Sequence, residues 1–390
     1  MLDFCIVQGA RPQNEDRTSS SANVFSVHDG HGGAEAVDKL VALMSDRDFS
    51  LSQRSVDLVQ FDPLVLKMAN LYYEMLGALS EEASGAVSIS VLCSPSALYF
   101  GWVGDCQGCV FDCLPCLCEQ IDFAEPEKAQ RLRQPITSPH CFLSEPFSPM
   151  VESETLTVER YITTSGQAAV RFKDPKSQIE YQKVLREHPD ALIDSTVVLI
   201  GDARLLVDSR ISCSIQPTRA LGDCDETMAL RHPTVMRVQH TGSYKVLLCS
   251  DGAFSRGAFA DIRAVCSCVL NPLNFVRANF YRRGQELTER LAYYGKPPHF
   301  RDWAAFLLFL RTKHLPALRS ERFFATFEDY ENSHWWLQYS RSHTEWLLAC
   351  NKSIKWLEEN PQGGGAHIAA HLAVVMGSTD NVSVLVKHKL

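Results

Sequence analysis

VFSVHDGHGG, residues 24–33, is an alternating apolar run that stops in a carboxylate, an imidazole and glycines. A half-buried strand needs only alternation, so Val24-Phe25-Ser26-Val27-His28 is read as a strand. The residues after it are chosen for something else. AEAVDKLVALMS follows, with Ala34, Val37, Leu40, Val41 and Met44 at helical spacing, so the chain is expected to turn from strand into helix at the glycines.

Working outward, VSISVL (87–92), LYFGWV (98–103), KVLLC (245–249) and VSVLVKH (382–388) read as further strands, with SPSA at 94–97 a hairpin turn. DPLVLKMANLYYEML (62–76) reads as a second helix. Strands in adjacent pairs with helices in blocks predict an α+β sandwich of antiparallel sheets flanked by helices, in preference to a doubly wound parallel sheet. Two stretches read as insertions into one domain spanning 1–390. One is proline-rich at about 114–175, ending in ETLTVERYI. The other, at about 275–360, holds five of the six tryptophans and closes at PQGGG (361–365). In it Trp303, Phe306, Leu307 and Leu310, and then Trp346, Leu347, Cys350, Ile354 and Leu357, fall at helical spacing, which predicts two amphipathic helices packed on each other.

Composition narrows the function classes. The 390 residues carry 45% hydrophobic side chains and a formal net charge of -8, which fits a globular protein with a sizeable core and argues against a nucleic-acid partner. No apolar run has the length of a membrane span, and the first ten residues lack the pattern of a secretory signal, so a cytoplasmic location is expected, with the nucleus or an organelle left open. The fourteen cysteines are mostly scattered through apolar runs, as in a reduced compartment. Cys106, Cys109, Cys113, Cys116 and Cys118 cluster at a spacing that would suit zinc, but no second CxxC or histidine pair follows, and small thiols on a hairpin are the preferred reading.

Acids recur at the ends of these runs: Glu15 and Asp16 in RPQNED, Asp29, Asp105 in WVGDC, Asp251 in LLCSDGAF and Asp380 in GSTDNVSV. A turn explains any single Asp-Gly. Several carboxylates brought into one cleft cannot all ionise without cations between them, and all-oxygen ligands select Mg2+ or Mn2+.

Taken in order, Arg11-Pro-Gln-Asn14-Glu15-Asp16, His28-Asp29-Gly30-His31-Gly32-Gly33, Ser84-Gly85-Ala86, Val103-Gly104-Asp105, Thr218-Arg219-Ala220-Leu221-Gly222-Asp223, Ser250-Asp251-Gly252 and Gly377-Ser378-Thr379-Asp380-Asn381 resemble the motif series of the metal-dependent protein phosphatases, the protein phosphatase 2C family. The stretch Tyr181–Pro189 is similar to the pyruvate dehydrogenase phosphatase branch. The resemblance implies a serine/threonine phosphatase in which a metal-activated water attacks phosphoserine or phosphothreonine at a two-metal centre. It implies Asp29, the Gly30 carbonyl, Asp251 and Asp380 as ligands of two Mg2+ or Mn2+ ions. Glu15 and Asp16 would orient bound waters and Asn381 would hold the Asp380 loop. Arg11 would grip the phosphate, and His31 would protonate the departing oxygen. The resemblance also implies that Asp105, with Asp251, would share a third, weaker ion. The family's Asp-Gly-x-Trp-Asp reads Asp251-Gly252-Ala253-Phe254-Ser255 here, which puts that ion in doubt. The insertion at 275–360 leaves after Asp251 and returns before Asp380, so it is expected to border the cleft, carry a partner surface and help select phosphoprotein substrates. A phosphatase-like scaffold or binding module is the alternative; such a chain would be expected to have lost core aspartates or Arg11.

Overall fold

The computed structural model describes residues 2–21, 23–45, 62–111, 220–224, 232–240, 243–255, 258–278, 300–318 and 335–389, together with short strands between 118 and 205. In chain order the strands are β1 (Leu2–Val7), β2 (Arg17–Ser20), β3 (Val24–His31), β4 (Gly85–Cys93), β5 (Ala97–Val103), β6 (Gln107–Phe111), β7 (Cys118–Asp122) and β8 (His140–Leu143). There follow β9 (Val158–Ile162), β10 (Ala168–Phe172), β11 (Ile193–Asp194), β12 (Val197–Ile200), β13 (Ala203–Leu205), β14 (Leu221–Gly222), β15 (Thr234–Gln239), β16 (Tyr244–Cys249) and β17 (Val382–Lys389). The helices that matter below are α1 (Glu35–Ser45), α2 (Pro63–Ala78), α3 (Ile262–Leu270), α4 (Trp303–Phe309), α5 (Trp335–Glu359) and α6 (Gly365–Met376).

Two antiparallel sheets form the framework. One runs β1-β17-β16-β6-β8, the other β2-β3-β4-β5-β15-β7 with β14 added to β4. Both faces of each central strand are covered, and the two-residue repeat sends alternate side chains into different cores. Val246 and Leu248 of β16 and Leu385 of β17 meet Phe25, Val27, Ile89, Phe100 and Trp102 between the sheets. Their neighbours Leu247, Cys249, Val382, Val384 and Val386 face the other way, against α3, α5 and α6. On the outside of the second sheet, Leu40 and Met44 of α1 pack with Met68, Leu71, Tyr72 and Met75 of α2. The result is the α+β sandwich expected from the sequence.

The turn from β3 into α1 answers the question raised by the glycines. Gly32 and Gly33 both have positive φ, at 72° and 137°, which lets the chain reverse between strand and helix. The Ser84 hydroxyl then accepts from the Ala36 amide at 3.0 Å, satisfying a first-turn donor of α1 from outside the helix. Pro63 opens α2, and Asp62 caps it by accepting from Leu64 at 2.9 Å.

Among the apolar side chains that the sheet presents to α2, such as Val24, Leu92 and Val103, runs a buried polar strip. His28 lies between Ser19 Oγ at 3.0 Å and Ser88 Oγ at 2.9 Å, while the Tyr72 hydroxyl donates to the Gly101 carbonyl at 2.6 Å beside Ser90 Oγ. Burial holds the His28 ring neutral, depressing its pKa to about 3. Because these groups have no bulk water to fall back on, Tyr72→Phe is expected to cost about 1 to 3 kcal/mol, read as a lower urea midpoint. An unchanged midpoint would show that the hydroxyl contributes nothing.

Part of the 275–360 stretch is built into this framework. Trp346, Ala349, Cys350, Ile354 and Leu357 of α5 are buried in the same cluster as α6, and the Trp346 indole donates to the Val374 carbonyl at 2.8 Å. Phe306 and Leu307 of α4 and Leu310 just after it join them, so the two helices predicted from spacing share one core. Residues 279–299 and 319–334 of that insertion, most of the 114–175 insertion, Tyr181–Pro189, Cys113, Cys116, Thr218 and Arg219 lie outside the described residues. Cys106 and Cys109 are buried and free, and among the described residues no cysteine is paired or grouped as for zinc. No helix among the described residues is long and apolar enough to cross a membrane.

Strand β1 pins α6 in place. Asp3 accepts from the Ala366 amide at 2.9 Å and contacts His367 Nδ1 at 2.9 Å, while the Trp356 ring stacks on His371 at 4.3 Å between centroids. Burial first, and the neighbouring His367 second, lower the His371 pKa to about 4. An unfolded histidine titrates near 6.5, so below that pH the unfolded chain takes up a proton that the folded chain declines. Stability from this group is therefore expected to be full above about pH 6.5 and to fall as pH drops toward 4. Urea midpoints at pH 7.5 and pH 5 test this, and His371→Leu should flatten the difference.

Candidate metal and phosphate site

The ends of β3, β5 and β16 and the start of β17 meet the loop between β1 and β2 at one end of the sandwich. Backbone bonds fasten the loops together: Ala10 N donates to Thr379 O at 2.8 Å and Ser250 N to Ser383 O at 3.1 Å. Side chains complete the tie. Ser378 Oγ donates to Gly252 O at 2.7 Å, and Asn381 Nδ2 to Gln13 O at 3.2 Å. Asn381 thus joins the loop before β17 to the loop before β2.

Carboxylates from separate segments converge here. Asp29 is pushed well above the usual carboxylate range by burial and then by Asp16, Asp251, Asp380 and Asp105. Burial and Asp380 raise Asp251 to about 6, against an opposing hydrogen bond with Asp29 and the charges of Arg11 and His31. Asp16, 1% exposed, rises to about 7 through burial, although Ser250 Oγ donates to its Oδ2 at 2.9 Å. Asp105 is raised by burial and by Asp251 and Asp380. All four acids are held where ionisation is costly without a compensating cation. A cation opposes them at Arg11, whose Nη2 lies 2.7 Å from Asp380 Oδ2.

Gly30 runs so close to the Glu15 carbonyl that a Cβ would press on it, which sets the β3 end against the β1–β2 loop. The Glu15 side chain accepts from Gln13 Nε2 at 3.0 Å. His31 stands at the far end of β3 with Nε2 2.9 and 2.8 Å from the two oxygens of Asp223. Asp223 belongs to the quoted motif series, but no role for it is legible there. It follows glycine at the end of an apolar run, the pattern that picked out the other acids.

The donor set is oxygen throughout. Asp16 Oδ1 and Asn381 Oδ1 are buried without a hydrogen-bond partner, and the surrounding carboxylates repel one another. Unsatisfied hard oxygens in an acidic cleft fit Mg2+ or Mn2+. Among the described residues, no group of three or more His, Cys, Asp or Glu side chains is drawn close enough to hold a metal ion.

Residues 1–112 match the model of the protein phosphatase 2C family. No curated protein gives a significant match. Among solved structures, a C. elegans sex-determining protein is similar at 15% identity with a TM-score of 0.42, over 100% of this chain and 64% of that one. The Mycobacterium tuberculosis serine/threonine phosphatase PstP/Ppp is similar at 14% identity with a TM-score of 0.38, over 100% of this chain and 98% of that one. The catalytic domain of PstP in complex with two manganese ions follows at 13% identity with a TM-score of 0.35, over 99% of this chain and 96% of that one.

Proposed function

We propose that this chain is a metal-dependent serine/threonine phosphatase of the protein phosphatase 2C type, acting on phosphoproteins. The observation that carries the reading is the convergence of Asp16, Asp29, Asp105, Asp251 and Asp380, each from a different segment, beside Arg11 at one end of the sandwich. Asp29, the Gly30 carbonyl, Asp251 and Asp380 would hold two Mg2+ or Mn2+ ions. When bound, such ions lower the pKa of water and neutralise charge on a phosphoryl group.

The chain's own residues supply the rest. Arg11 is half-exposed and reaches Asp380 along one edge of its guanidinium, and its planar fork suits the phosphate oxygens. His31 gives its proton to the serine or threonine oxygen as the ester bond breaks. Asp16 and Glu15 would orient water, Asn381 holds the loop that carries Asp380, and Asp105 would offer an oxygen to a third ion, whose site Ser255 leaves one carboxylate short. The insertion at 275–360, entered after Asp251 and left before Asp380, would contribute to choosing the phosphoprotein. The similarity of Tyr181–Pro189, leading to Thr218–Asp223, would set the chain nearer the pyruvate dehydrogenase phosphatase branch.

The test is hydrolysis of a phosphothreonine peptide and of p-nitrophenyl phosphate with Mn2+, Mg2+ or EDTA. Turnover with either metal and none with EDTA is expected. Tight Mn2+ binding by calorimetry with no turnover on either substrate would overturn the enzyme reading in favour of the binding-module alternative.

A further inference from the structure

We infer that Asp223 is the positioning residue of His31: its carboxylate holds the Nε2–H of the imidazole, leaving Nδ1 as the nitrogen that meets the departing oxygen. The inference rests on the phosphatase reading for its chemistry, and on geometry alone for the contact.

Three strands build the pair. His31, the last residue of β3, sits opposite Gly85 of β4, and Gly222 of β14 sits opposite the same Gly85 on its other side. His31 and Asp223 therefore reach over one glycine from both sides. A Cβ at Gly85 would overlap both Asp223 oxygens and His31 Nε2, so only glycine leaves room for the contact. The two oxygens lie 2.8 and 2.9 Å from Nε2, and Asp223 is 6% exposed.

The backbone is bent to make this contact. Asp223 has φ of 49°, the single positive-φ residue other than glycine among the described residues, and its amide donates to the Ser84 carbonyl at 3.3 Å. A left-handed aspartate costs free energy that a glycine would save, and such outliers persist where the surroundings enforce them. What is gained here is a nearly buried carboxylate aimed at one imidazole nitrogen. Fixing one ring nitrogen by an acceptor sets the tautomer and the ring plane, which decides where the other nitrogen points. In the transfer, the oxygen of a water bonds to phosphorus and gives a proton to solvent, the phosphorus–oxygen ester bond breaks, and the Nδ1–H bond of protonated His31 breaks with it. The Nδ1 proton ends on the alcohol oxygen, and His31 is left neutral with Nε2–H still held by Asp223.

Alkoxide leaving groups need that proton, whereas p-nitrophenolate leaves without it. Asp223→Gly removes the carboxylate without backbone strain, and Asp223→Asn keeps an acceptor oxygen. With Mn2+ present, Asp223→Gly is expected to lower kcat on a phosphothreonine peptide about 10²-fold and on p-nitrophenyl phosphate less than about tenfold. Asp223→Asn should fall between parent and Asp223→Gly, and Asp223→Gly combined with His31→Ala should be no worse than His31→Ala alone. Equal loss on both substrates, or additive losses in the double variant, would overturn the inference. A second readout does not need activity. Imidazole nitrogen NMR above pH 8, with the His31 signals assigned by their loss in His31→Gln, should show one Nε2–H tautomer in the parent and a mixture in Asp223→Gly. A parent inactive on both substrates but with this fixed tautomer would sink the phosphatase reading and keep the contact. An unchanged tautomer in Asp223→Gly would sink the positioning role.

Discussion

Asp29→Asn and Asp251→Asn are each expected to abolish the Mn2+-dependent turnover, by at least about 10²-fold, the scale at which even residues behind a metal's ligands act. They should do so while leaving the metal-free protein more stable than its parent. The two effects share a cause. Asp29 is raised by burial and by four neighbouring carboxylates, so its charge works against the fold until a cation joins it. An amide of the same shape removes that repulsion, and the thermal midpoint without metal should rise, by about 1 °C for each kcal/mol relieved. The rise on adding Mn2+ should shrink or vanish, because the ions favour the folded state only in proportion to their binding. An Asp251→Asn protein as active as the parent would refute the assignment.

The largest loss of stability is expected from Gly252→Ala. A Cβ at Gly252 would fall on the carbonyl of Asn381, and that obstacle is backbone, not the movable end of a side chain. The same residue's carbonyl accepts from Ser378 Oγ, so the loop cannot swing away without breaking its own tie. A cost of at least about 3 kcal/mol follows from forced overlap in a packed site. Gly77→Ala is the control. Gly77 is exposed on α2 with nothing within 4 Å of a built Cβ, and alanine there should stabilise by about 0.5 to 1 kcal/mol. Urea unfolding of the two variants measures the contrast, and a Gly252→Ala cost below about 0.5 kcal/mol would show that the loops are not tightly seated.

What could be read from the sequence follows from burial. β3, β4, β5, β16 and β17 are covered on both faces or nearly so, which leaves short apolar runs bounded by turns, and these were legible. β1 was not. It lies at the edge of its sheet with one buried residue in six, and Phe4 is 49% exposed, so LDFCIV has no clean alternation. α6 was missed for the opposite reason: its residues from Ile368 to Met376 are apolar on nearly every side, because β1, β17, α3 and α5 surround it, and no polar stripe marks the helical period. The acids at run ends were visible one by one. The contact of His31 with Asp223 spans 192 positions and depends on both flanking one residue of β4, a fact about pairing that no local pattern contains.

The pairing of β1 with β17 has a consequence for how a cell makes this protein. Leu2 sits opposite Lys387 and Val7 opposite Val382, and β17 is an interior strand, hydrogen-bonded to β16 on its other edge. A ribosome adding about 5 to 20 residues per second needs roughly 20 to 75 s between the two. During that wait β3, β4 and β5 can zip in sequence, each beside the last. The first sheet stays open along the edges of β1 and β16, which makes the nascent chain a client for chaperones that shield unpaired strands. Asp380 emerges two residues ahead of β17, so the acid cleft closes only once that strand has been made, and a chain stalled or truncated before it lacks both the strand and one of the converging carboxylates.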